Sequence, residues 1–160
     1  MLVIVKLVLV VTLLLVFYQD VKERKAYWFA FPIIALCCGF LFYQNSLLEL
    51  FYGSIVINLI FIGVLLTIIY LYSKFKLKTD FKNTFGLGDT LLFLALAFSF
   101  SSVSFITLFV FSLIFALVLH LLFKKKSKLQ TVPLAGYMSL FFCLVYVAFW
   151  LGFVNQLYII

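Results

Sequence analysis

Phe85-Gly86-Leu87-Gly88-Asp89-Thr90 is the stretch on which the fold turns. It is a Gly-x-Gly-Asp tetrad, set where a lysine-rich connection gives way to the apolar run 91–98. An ionisable side chain inside a membrane span costs at least about 2.5–3.5 kcal/mol on insertion scales, so by default it marks function. Asp89 therefore needs a partner or a task.

The composition around it excludes most alternatives. Of 160 residues, 68% are hydrophobic and only 11% are charged. Soluble domains carry about 25% charged residues. No stretch between apolar runs is long enough for a soluble domain, so residues 1–160 read as one integral membrane domain. Residues 1–17 are apolar with Lys6 their only charge. They lack a basic n-region and a small-x-small cleavage site, and are expected to be a retained helix rather than a cleaved leader. Cys37, Cys38 and Cys143 all lie in apolar runs, with no Cys-x-x-Cys pair and a single histidine. No metal site and no cofactor are expected from that pattern.

A spanning helix needs about 20 apolar residues. Six candidate spans follow: 2–19, 26–43, 50–72, about 84–100, 103–123 and about 131–153. They are too long and too uniformly apolar for barrel strands, so the expected fold is an all-α bundle of six transmembrane helices. The connections alternate in charge. Lys22, Arg24 and Lys25 occupy the first, Lys74, Lys76, Lys78 and Lys82 the third, and Lys124, Lys125, Lys126 and Lys128 the fifth. The second (Gln44, Asn45, Ser46, Glu49) and the fourth (99–104) carry no basic residue. The positive-inside rule then puts connections one, three and five in the cytoplasm and both termini outside. Setting topology and meeting anionic lipid headgroups accounts for these lysines, and nucleic-acid binding is not expected. Small or polar residues within spans are read as packing sites: Ala135 with Ser139, Asn58 and Gly63, and Ser112.

Of five acidic residues, only Asp20 and Asp89 directly abut apolar runs. Glu23 and Asp80 sit among basic residues and Glu49 lies on the outer side. Asp20 is five residues inside Lys25, or roughly 7–8 Å, and Asp89 is seven residues inside Lys82, or roughly 10 Å. The two carboxylates are expected at matching depth beneath the cytoplasmic surface. The fourth span is short, so either its helix starts before the Gly-x-Gly or the tetrad enters the membrane as protein-lined irregular backbone. Gly86 and Gly88 are expected to allow tight turning and close approach of another backbone.

Two aspartates sharing one site point to aspartic protease chemistry. One carboxylate takes a proton from water, and the protonated one donates to the developing oxyanion. From helix termini alone, Asp89 near an N-terminus is expected to carry the charge and Asp20 near a C-terminus the proton. The plainer alternatives are ion pairing with nearby lysines or simple helix capping. Pro133 is expected to start the last helix, where its missing N–H matters little. His120 and Trp28 read as a helix-terminal dipole contact and an interfacial anchor.

In combination, Asp20-Val21-Lys22-Glu23-Arg24, then Gly86-Leu87-Gly88-Asp89, then Val132-Pro133-Leu134-Ala135-Gly136 resembles the type IV prepilin peptidase family of membrane aspartyl proteases. The order of the three segments and the six-span layout both fit across essentially the whole chain. The chain departs from the family where Ala26-Tyr27-Trp28 stands in place of Ile-Pro-Asn, and where Leu91 replaces a lysine. The presenilin group shares Gly-x-Gly-Asp but has Tyr before its first aspartate and adjacent catalytic spans; here Gln19 precedes Asp20 and two spans intervene. The resemblance implies Asp20 and Asp89 as catalytic residues and Pro133 as substrate-lining. It implies a compact peptidase without the cysteine-rich insertion or N-methyltransferase activity of longer members. The implied substrate is a prepilin-like precursor with a short basic leader before an apolar helix, cut at the cytoplasmic face of the cell membrane. The competing expectations are a non-catalytic assembly or scaffold protein of the same fold, and a small transporter. The sequence does not fix an oligomeric state.

Overall fold

The computed structural model describes residues 2–23, 26–77, 86–123, 132–154 and 157–158. Arg24, Lys25, Lys78, Asp80, Lys82, Phe85 and the lysines at 124, 125, 126 and 128 fall outside the described residues. Six α-helices are present among those described: α1 (Leu2–Glu23), α2 (Ala30–Asn45), α3 (Leu48–Tyr72), α4 (Leu87–Leu96), α5 (Ser102–Phe123) and α6 (Leu134–Trp150). A π-helical turn, Ser73–Leu77, prolongs α3. The chain is thus all-helical over its described residues. Helices α1, α5 and the extended α3 (Leu48–Lys76) are long and apolar enough to cross a membrane. Helices α2, α4 and α6 are apolar but shorter.

Local chemistry explains where the helices stop. At the end of α2, the Asn45 amide donates to Leu41 O at 2.7 Å and the Ser46 hydroxyl to Phe42 O at 2.8 Å. Both are local bonds from a side chain back to the carbonyl four residues earlier, and the chain leaves the helix at Ser46, which is extended. Helix α6 ends at Gly152, whose φ of +82° is in the left-handed region. There Gly152 N–H donates to Phe149 O and Phe153 N–H to Ala148 O, the paired closure that a left-handed glycine permits.

Helix α6 is the most enclosed element. Its first turns, Ala135 to Ser139, are buried, as are Phe142, Cys143 and Tyr146 further along. Tyr146 donates its hydroxyl to Cys38 Sγ at 3.2 Å, and Phe100 packs on both Phe142 and Tyr146. Helix α1 runs antiparallel beside α6. Gly136 pairs with Asp20 at one end, and the Lys6 ammonium lies 5.1 Å from the centre of the Trp150 ring at the other. Both intervals are fourteen residues, about 21 Å of helix, so the two helices keep register throughout.

The fourth span differs from expectation. Instead of about 84–100, its helix covers only Leu87–Leu96, about 15 Å, and begins inside the tetrad. The segment expected as a surface connection starts early and is buried: Ala97, Ser99, Phe100 and Ser101 are enclosed. Backbone can leave a helix in apolar surroundings only if its carbonyls find donors. Asn58 supplies them from α3, donating through Nδ2 to Ala97 O and Phe100 O, each at 3.0 Å. Asn58 is thus a cap for a neighbouring helix, more specific than the packing role expected of it. Gly63, also expected to pack, is exposed, with nothing within 4 Å of where a Cβ would stand. Ala135, Ser139 and Ser112 are buried as expected.

The Asn58 contacts also set depth. Asp89 lies eight residues before Ala97, and α3 with its π turn runs eighteen residues from Asn58 to Lys76. Helix α3 therefore continues about 15 Å past the level of Asp89.

Replacing Asn58 by Leu strips both carbonyls of their donor. The Asn58→Leu protein is expected to lose about 1–3 kcal/mol of stability, read as a lowered thermal midpoint of the helical circular dichroism signal in detergent. Ser102→Ala, which removes only a 3.5 Å contact to Ser54 O, is expected to leave that midpoint nearly unchanged.

Candidate active site

The site is built on the start of α6. Pro133 precedes the helix at φ −76° and ψ 74°, an inverse γ-turn in which Leu134 N–H donates to Val132 O at 3.0 Å. The helical ladder opens with Tyr137 N–H donating to Pro133 O at 3.1 Å. Between these bonds, the amides of Ala135 and Gly136 have no partner within the helix. A Ser, Thr or Asp before the helix would cap them, but proline has no polar side chain and no N–H.

Two carboxylates from elsewhere take their place. Ala135 N–H donates to Asp89 Oδ1 at 2.7 Å, and Gly136 N–H donates to Asp20 Oδ2 at 2.6 Å. The donor nitrogens are neighbours in the chain, less than about 4 Å apart, so these two carboxylate oxygens lie within about 9 Å of each other. Each bond is charge-assisted when its acceptor is ionised, worth roughly 1.5–3 kcal/mol. Both acids are only partly buried, so the pair remains within reach of water.

Each aspartate is delivered by a different helix. Asp20 comes from the last turns of α1 and Asp89 from the first turn of α4. Gly136 allows α1 to come this close. A Cβ there would stand 3.1 Å from both Asp20 Cβ and Asp20 Oδ2, and 3.3 Å from Phe17 O. Near Asp20, Lys22 donates to the Tyr18 hydroxyl at 2.8 Å and Tyr27 N–H donates to Gln19 Oε1 at 3.0 Å. The latter draws the α1–α2 connection in beside the pair.

The structure thus joins Asp20 and Asp89, and Pro133 adjoins them through the two residues that follow it. The tetrad glycines behave differently from expectation. Gly86 is extended at φ −66° and needs no left-handed conformation. Its missing side chain makes room for Asp89 itself, since a Cβ would lie 2.9 Å from Asp89 Oδ2. Gly88 has ordinary clearance, with Phe31 and Ala26 at 3.8 and 3.9 Å from a built Cβ. The division of roles argued from helix termini also changes. Asp20 belongs to a C-terminal turn but points at the N-terminus of α6, as Asp89 does, so the positive end of one helix dipole acts on both. His120 is partly exposed near the end of α5, and Trp28 is largely exposed beside the α2 start.

Reading the sequence missed Gly136 and the two backbone amides. A usable signal was present: a proline opening a helix, followed by small residues and no capping side chain, implies orphan donors that other elements must satisfy. No known protein family, curated protein or solved structure matches the chain.

Gly136→Ala is expected to push Asp20 off its amide and destabilise the protein by about 1–3 kcal/mol, lowering the thermal midpoint in detergent. Gly88→Ala, which meets only ordinary contacts, is expected to shift it by less than about 0.5 kcal/mol.

Proposed function

We propose that this protein is a multi-pass membrane aspartyl endopeptidase in which Asp20 and Asp89 form the catalytic dyad. The observation that carries the reading is the convergence of these two acids, 69 positions apart in the sequence, on consecutive amides of one helix start. Aspartic proteolysis needs two carboxyl groups in one site and water between them and the peptide. The ionised member accepts a proton from that water, whose oxygen attacks the peptide carbonyl. The protonated member donates to the oxyanion, and the amine leaves with a proton returned from the pair. The Ala135 and Gly136 amides hold the carboxylates in place, so neither depends on a mobile loop.

In this proposal all six helices lie in the cell's cytoplasmic membrane, with the charge-poor connections and both termini outside. Lys74 and Lys76, at the far end of α3, mark the cytoplasmic side, and the dyad lies inside their level. The substrate assignment rests on the resemblance in sequence. The protein would remove the short basic leader of a prepilin-like precursor, without methylating the product and without a metal.

The carboxylates also cap α6, and capping alone is the reading to exclude. Asparagine separates the two roles, because its Oδ1 still accepts an amide N–H but the side chain does not titrate. Asp20→Asn and Asp89→Asn are each expected to abolish leader removal from a co-expressed prepilin while leaving the thermal midpoint close to wild type. Asp20→Ala and Asp89→Ala should lose both. Glu23→Gln is the matched control and should process normally. Normal processing by either Asn variant, scored by gel shift and N-terminal sequencing, would leave the acids as caps only.

A further inference from the structure

At the end of the bundle opposite the dyad, a cavity of about 190 Å³ lies where α1 begins and α2 and α6 end. Its walls include Lys6, Gln44, Trp150 and Tyr158. Lys6 is the only charge in the first seventeen residues and is partly buried. Its ammonium lies over the Trp150 ring at 5.1 Å, and among the described residues no carboxylate pairs with it. The Gln44 amide and the Tyr158 hydroxyl, on a side chain 3% exposed, likewise have no hydrogen-bond partner among the described residues. Lys6, the exposed Gln44 and Tyr158 therefore bring an ammonium, an amide and a phenol to the walls of one small cavity, beside the Asn45 side chain, and among the described residues none of the three donates a hydrogen bond.

We propose that this cavity binds a phosphate-bearing anion, with Lys6 as its charge partner. A phosphate presents several acceptor oxygens, the complement of this donor set, and bonds from an ammonium to such oxygens are charge-assisted. The level of the cavity names the source. Trp150 and Tyr158 are amphipathic aromatics of the kind that sit at headgroup depth, and Lys6 is about 21 Å of helix from Asp20. The phosphate is thus that of an anionic phospholipid headgroup, its acyl chains lying along the exposed apolar side chains of α1, Leu7 and Val11 among them. This site is independent of the peptidase reading and shares no residue with the dyad.

Tryptophan fluorescence tests it directly, because Trp150 lines the site and Trp28, the chain's other tryptophan, is removable as Trp28→Phe. The detergent-solubilised full chain carrying Trp28→Phe is titrated with short-chain phosphatidylglycerol, short-chain phosphatidylcholine and inorganic phosphate. Saturable change with phosphatidylglycerol is expected, weakened about tenfold or more by Lys6→Gln and restored by Lys6→Arg. Tyr158→Phe, which keeps the charge, should weaken it less. Equal saturation by inorganic phosphate would keep the anion site but make its ligand the free ion. Equal response to phosphatidylcholine, or an unchanged titration in Lys6→Gln protein of normal helical content, would overturn the proposal.

Discussion

Two backbone amides organise this bundle. Helix α6 opens on a proline that neither caps nor donates, which leaves the buried Ala135 and Gly136 with N–H groups that have no partner in their own helix. An unsatisfied donor in apolar surroundings costs several kcal/mol, and Pro133 itself has no side chain that can relieve it. The acceptors come from α1 and α4. Satisfying the helix start therefore fixes three helices against one another at one level, and it gathers two acids that the sequence keeps far apart. Stability and chemistry are linked at this point, since the groups that close the helix are those proposed to cut the substrate.

The same accounting explains the other irregular feature. Helix α4 is about 15 Å long and ends inside the protein. The carbonyl of its C-cap, Ala97, and that of Phe100 in the turn beyond are met by the Asn58 amide from α3. Asn58 Oδ1 is itself buried without a partner among the described residues, so the arrangement satisfies the backbone at the expense of a side-chain acceptor. Asp89 stands in the first turn of α4, and the Asn58 contacts tie the other end of that helix to α3. Helix α3, anchored at the same contacts, continues well past the level of the acids. The site is consequently recessed relative to the longest helix.

The α1–α6 pair connects the two ends of the molecule. Its register is set at one end by Asp20 on Gly136 and at the other by Lys6 on Trp150. Gly136 permits the close approach, since a side chain there would strike Asp20 and the Phe17 carbonyl. A headgroup held at Lys6 would act on the same helix pair that carries Asp20.

Apolar runs of helical length fixed the class of fold and the approximate position of every helix, because the bilayer's thickness and the backbone's hydrogen-bond demand leave few alternatives. Asp20 and Asp89 were also legible, as the two acids that abut apolar runs, and their similar spacing from the basic loops, five and seven residues, anticipated that they would meet at one level. The length of α4 was not legible. Residues 97–101 are apolar enough to continue the helix or to turn, and the choice depends on a donor 39 positions earlier at Asn58. Nor did the sequence show what Gly86, Gly88 and Gly136 do, because a glycine's purpose is set by what approaches it. Gly86 makes room for Asp89, Gly136 for Asp20, and Gly88 for neither. Backbone amides carry no sequence signature of their own. That two of them hold both acids could be decided only by packing α1, α4 and α6 together.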